Sequence, residues 1–155
     1  LILSLIFLGV VGLVSFIVKK LRSESTAQFP YKIRPSILNK SEFAFFLELQ
    51  RQLSNGYQIF SKIRLIDFLD VADSVHYVSW RNKIWAKHVD FLISDSYFKP
   101  VLAIEVNGGS HFAEKRIDRD RFIKDVFGSA GLHLEVIEVG ANFSQAIDKI
   151  IKSLK

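Results

Sequence analysis

Apolar and polar positions divide the chain into two unlike parts. From Leu1 to Val18 the only residues that are not large and apolar are Ser4, Gly9, Gly12 and Ser15, and none is charged. As a helix, at about 1.5 Å per residue, such a run reaches roughly 27 Å, close to a bilayer core. Lys19, Lys20 and Arg22 follow at once. A secretory signal peptide carries its positive charge before the apolar run, and here the charge comes after it. The positive-inside rule therefore predicts one transmembrane helix over residues 1–18, in the inner (cytoplasmic) membrane, with the rest of the chain facing the cytoplasm. Residues 19–40, with Pro30 and Pro35, read as a basic juxtamembrane linker. Its cations suit anionic lipid, so the bilayer is an expected partner.

Beyond the linker the periodicity changes. Phe43, Phe46, Leu47 and Leu53 fall near one face of a helix over 41–53, with Asn39 or Ser41 as its cap and Asn55-Gly56 as its end. Residues 57–66 alternate in part and suit a strand. Residues 67–84 give no clear period, and Asp67 to Ala72 read as a short helix or a loop. Residues 87–93 alternate, with Val89, Phe91 and Ile93 on one face and His88, Asp90 and Leu92 on the other. A turn at Asp95 to Pro100 leads to a strand over 101–107 that Gly108-Gly109 ends. A helix over 116–127 offers Ile117, Phe122, Val126 and Phe127 to the core, with breaks at Gly128 and Gly131. A strand over 132–139 and a helix over 142–154, opened by Asn142, close the chain. This order predicts an α/β fold over 41–155, a small mixed β-sheet flanked by helices.

Composition narrows the chemistry. With 49% hydrophobic residues the chain is not a disordered one. It has no cysteine, which removes disulfides, thiolate zinc sites and a cysteine nucleophile. The net charge of +5 suggests a nucleic-acid partner until it is located. Lys19, Lys20, Arg22, Lys32, Arg34 and Lys40 stand against Glu24 alone, while residues 41–155 are neutral overall. The excess belongs to the linker, and the charge by itself marks no DNA-binding surface.

Two acidic residues occupy apolar strands, Asp90 and Glu105. Burying an unpaired carboxylate is costly, so such residues pair with cations, bind metal or sit at a strand end. On neighbouring strands the two would meet on one face, where hard oxygen donors suit Mg²⁺ or Mn²⁺. Asn107 projects to the same side. The plainer alternative is a pair of structural ion pairs at a sheet edge. Gly108-Gly109 admits a phosphate or merely turns the chain. Arg81, Lys83 and Lys87, and Lys115, Arg116, Arg119, Arg121 and Lys124, suit a nucleic-acid backbone. They equally suit solvated faces balanced by Glu114, Asp118, Asp120 and Asp125, the reading preferred here. Trp80 and Trp85 suit base stacking or, more ordinarily, core packing. His76 and His133 lack metal-ligand spacing.

The order of these pieces adds a resemblance. Ser41-Glu42, Lys62 to Leu65, Ala86 to Phe91, Ala103 to Asn107, Ser110-His111, Arg119-Asp120 and Ala130 to Leu132 are similar to motifs of the PD-(D/E)XK nuclease superfamily. The restriction-endonuclease-like fold is implied. More narrowly, residues 40–140 resemble a bacterial family of unknown function, numbered two-seven-two-six, placed within that superfamily. The resemblance implies that Asp90, Glu105 and the carbonyl of Val106 hold a divalent metal and that Glu42 supports the site from the first helix of the domain. It also implies that His111 and Asp120 lie nearby and that Arg119 meets a phosphate or a carboxylate. The superfamily's lysine position is Asn107 here, which supplies neither a cation nor a base. Lys87 or Lys124 is the expected substitute.

These residues lead to the expectation of a membrane-anchored, Mg²⁺-dependent nuclease-like domain acting on DNA or RNA. The alternatives are a catalytically decayed nuclease-fold binding module and a membrane-associated scaffold.

Overall fold

The computed structural model describes residues 2–24, 29–107 and 114–154. The chain divides into two units, Leu1–Pro35 and Ser36–Lys155. The first carries helix α1, Ile2–Glu24. It runs past Val18, so the start of the segment expected as a linker is helical. Its described apolar side chains, Val10, Val11, Leu13, Val14, Phe16, Ile17 and Val18, are all exposed. Among the described residues no helix is long and apolar enough to cross a membrane. The expected transmembrane anchor therefore gains no support from the fold.

The second unit is a mixed α/β domain. Helix α2 (Lys40–Gln52) precedes strand β1 (Gln58–Arg64), a 3-10 turn (Leu65–Asp67) and helix α3 (Tyr77–Trp85). Strands β2 (His88–Ser94) and β3 (Pro100–Asn107), helix α4 (Glu114–Ala130), strand β4 (Leu134–Glu138) and helix α5 (Phe143–Ser153) follow. The four strands form one sheet in chain order. The first two pairings are antiparallel, and β3 pairs β4 in parallel across α4.

The apolar spacing of the elements assigns them to two layers. Phe45 and Leu49 of α2 and Ile147 and Ile150 of α5 pack on Phe91, Ile93, Leu102, Ile104, Val106 and Ile137 of the sheet. On the other layer, Ile84 of α3 and Ile123 and Phe127 of α4 pack with Leu65, Val89, Leu92 and Ala103. Phe91 lies 5.6 Å from Phe45 and 6.1 Å from Phe46, ring to ring. Truncating such a buried Phe to Ala costs about 3–5 kcal/mol.

Several expectations are corrected. The first strand stops at Arg64, because Leu65 turns into the core in the 3-10 turn and is fully buried. Helix α3 lies where no period was found, since only Ile84 of it is buried. Val89 packs with Leu92 rather than with Phe91 and Ile93. Helix α4 runs through Gly128, and Gly131, with φ 65°, ends it. Trp80 and Trp85 are not core residues, each being 43% exposed. Gly108-Gly109 and the side chain of Ile117 lie outside the described residues.

Candidate functional site

The site begins with the start of α2. Asn39 caps the helix: its Oδ1 accepts the Glu42 N–H at 3.0 Å, and Glu42 Oε2 accepts the Asn39 N–H at 3.0 Å. Asn39 Nδ2 donates to Glu42 Oε1 at 2.6 Å. These bonds fix Glu42, only 6% exposed, against the sheet.

Strands β2 and β3 supply the next two carboxylates. Their register pairs Phe91 with Ile104 and Leu92 with Ala103, so one step further Asp90 stands opposite Glu105. Asp90 Oδ2 accepts the Val106 N–H at 2.8 Å. Asp90 is 5% exposed. The adjacency expected of these two residues is therefore present.

The cation that satisfies them is Lys62 of β1. Its Nζ lies 2.5 Å from Asp90 Oδ1 and 2.9 Å from Glu42 Oε1. Lys62 adopts φ 55°, a left-handed conformation that non-glycine residues rarely hold. Burial alone lowers the affinity of its amine for a proton. The hydrogen bonds to Asp90 and Glu42, with their charges, outweigh that, and the pKa is raised. Lys62 is thus a fixed ammonium and not a free base.

Glu105 has the opposite electrostatics. Burial, then the charge of Asp90, pushes its carboxyl up to about 7, against the opposing pull of Arg119 and Lys62. Around these residues lies a cleft of about 380 Å³, lined by Glu42, Asp90, Glu105, Val106, Asn107, Arg119, Asp120, Ile123, Lys124, Leu134, Val136 and Glu138. The set is rich in carboxylates, an arrangement that attracts cations.

Most of the expected site residues converge here: Asp90, Glu105, Val106, Asn107, Glu42, Arg119 and Asp120 all line the cleft. His111 lies outside the described residues. Of the two expected substitute lysines, Lys124 lines the cleft. Lys87 does not. Its Nζ lies 5.4 Å from the centroid of the Phe122 ring. Lys62 was quoted from sequence only as part of a resembling motif, with no role given to it, and Glu138 was not singled out. The signal for Lys62 was pairing arithmetic, because Ser61 opposite Phe91 and Ile63 opposite Val89 bracket Lys62 and Asp90.

Among the described residues no group of three or more His, Asp or Glu side chains is arranged to hold a metal ion. Asp90 and Glu105 with the Val106 backbone nevertheless form a set of hard oxygen donors.

A family model described as protein of unknown function DUF2726 matches residues 34–155. The chain belongs to this family. An uncharacterized protein of Haemophilus influenzae is 32% identical over 116 residues, which cover 73% of this chain and 58% of that protein's length. No solved structure gives a significant match. In this DUF2726 member the match takes in every element of the sheet and the whole cleft.

Proposed function

We propose that the DUF2726 domain is a divalent-metal-dependent phosphodiesterase of the PD-(D/E)XK kind, acting on nucleic acid. One observation carries the reading: Asp90 and Glu105 stand side by side at a cleft, and Lys62, outside the cleft lining, pairs with Asp90 and Glu42 of that lining where Asn107 offers no cation. Asp90, Glu105 and the Val106 carbonyl would hold Mg²⁺ or Mn²⁺. The ion would polarise a phosphate and lower the pKa of an attacking water. Lys62 holds Asp90 and Glu42 in place. Arg119 and Lys124 at the cleft wall are placed to meet phosphate oxygens.

A second reading rests on Asn107 and on the small donor set: a decayed module that binds nucleic acid without cutting it. One experiment separates the two. The wild-type chain, Asp90→Asn and Glu105→Gln are titrated with Mn²⁺ by calorimetry and assayed for cleavage of DNA and of RNA with Mg²⁺. Metal binding and cleavage by the wild type alone, with all three proteins folded by circular dichroism, support the phosphodiesterase. Metal-independent binding of nucleic acid without cleavage supports the decayed module.

We also propose that Leu1 to Val18 tethers the domain to the inner membrane, with the domain on the cytoplasmic side. The uncharged run and the cations after it support this. The test is alkaline extraction of membranes: the full chain stays with the lipid, and a chain lacking residues 1–18 is released. Release of both would overturn the tether.

A further inference from the structure

Helix α3 presents a surface that the cleft does not use. Trp80 and Trp85 are both 43% exposed, although a surface indole normally turns its ring into the core. The Trp80 Nε1–H donates to Asp73 at 3.2 Å, which holds the ring by its edge. Lys83 Nζ stands 3.7 Å from the Trp80 ring centroid. Over Trp85 lie the guanidinium carbons of Arg81 at 4.1 Å and of Arg64 at 5.3 Å. Among the described residues, Arg81 and Lys83 face rings rather than carboxylates. The nearby acids are already engaged. Asp67 holds Arg64, Asp70 accepts the Val71 N–H, and Asp73 holds His76 and Trp80.

We propose that the two exposed indole–cation clusters of α3, Trp80 with Lys83 and Trp85 with Arg81 and Arg64, dock a single-stranded segment of nucleic acid, an inference that rests on the phosphodiesterase reading and names where its substrate is held. Unpaired bases stack on indole rings and guanidinium planes, and the interleaved cations meet the phosphates between them. A duplex offers no free base faces to such rings. Helix α3 ends at Trp85, and Ala86 and Lys87 join it to β2, which carries Asp90; Lys87 lies over Phe122 of α4, the helix that supplies Arg119 and Ile123 to the cleft wall.

Trp80 and Trp85 are the two tryptophans of the chain, so its indole fluorescence reports this patch alone. The full-length protein is titrated with an oligothymidylate of about fifteen nucleotides in EDTA, where no cleavage occurs. The expected result is quenching that saturates and weakens with salt. Trp80→Phe and Trp85→Phe each keep part of the quench, and Trp80→Ala or Lys83→Ala binds about tenfold more weakly. Three results would overturn the proposal: no quenching, equal affinity for a duplex of the same length, or quenching by anionic phosphatidylglycerol vesicles in place of the oligonucleotide. Because metal is absent, saturable quenching without later cleavage in Mg²⁺ refutes the phosphodiesterase and keeps the patch. Cleavage without quenching refutes the patch alone.

Discussion

Lys62 of β1 holds Asp90 of β2 at 2.5 Å from a backbone conformation that most residues avoid, with φ 55°. The left-handed geometry costs a non-glycine residue about 1–2 kcal/mol. The same ammonium also holds Glu42 at 2.9 Å, so one cation separates two buried carboxylates. Leaving a buried pair with one partner costs about 3–5 kcal/mol, and the partial exposure of Lys62 lowers that here to roughly 2 kcal/mol. Lys62→Ala should therefore lose about 2 kcal/mol in urea denaturation. Lys62→Gly loses the same charge but escapes the backbone strain, and should be about 1 kcal/mol more stable than the alanine variant. If alanine and glycine unfold together, the left-handed conformation is not a feature of the folded chain.

Glu105 makes stability depend on pH in a direction opposite to that of most carboxylates. In the unfolded chain its carboxyl releases its proton near the usual 4.5, and in the folded domain near 7. Between these values the folded state binds more protons, so stability is greatest below 4.5 and is lost as pH rises to about 7. A separation of that size corresponds to at most roughly 3 kcal/mol. Glu105→Gln carries no such charge. Its urea midpoint should exceed that of the wild type at pH 8 and match it near pH 4.5. Parallel pH profiles for the two proteins would show that Glu105 is not perturbed.

The same carboxyl gives the proposed metal site a signature apart from catalysis. Near pH 6, Mn²⁺ binding between Asp90 and Glu105 must drive off the Glu105 proton. The calorimetric heat then changes between two buffers of unlike ionisation enthalpy, by an amount equal to the protons released. About half a proton or more per ion is expected for the wild type, and almost none for Glu105→Gln. Heats independent of buffer would place the ion elsewhere.

The parts legible in the sequence are those with a strong period. Alternation marked β2 and β3 and, through two carboxylates inside apolar runs, Asp90 and Glu105. Asn142 and the apolar residues after it marked α5. Helix α3 escaped because exposed aromatic and cationic residues surround its single buried Ile84, so no apolar stripe is left to read. Lys62 escaped for a different reason. Strand alternation assumes a regular pleat, and a left-handed residue breaks it, so its role emerges only when β1 is laid beside β2. Of the lysines expected to stand in at Asn107, Lys124 lines the cleft. Lys87, the other candidate, is turned toward Phe122 instead.

Asn39 shows how the site constrains a residue that only caps a helix. At an ordinary N-cap, Asp serves as well as Asn, because only the side-chain oxygen is used. Here Oδ1 takes the Glu42 N–H while Nδ2 donates to Glu42 Oε1 at 2.6 Å. Asn39→Asp keeps the cap oxygen but sets a second carboxylate against buried Glu42, which already has Lys62 as its counter-charge. Asn39→Ala should cost about 1 kcal/mol through the lost cap. Asn39→Asp should cost at least as much at pH 7, and it should recover on acidification toward pH 4 as the new carboxyl protonates. Urea denaturation of both variants at the two pH values checks this. An Asn39→Asp variant as stable as the wild type at pH 7 would mean that Glu42 is not held by Asn39, and that the site's first carboxylate is positioned by Lys62 alone.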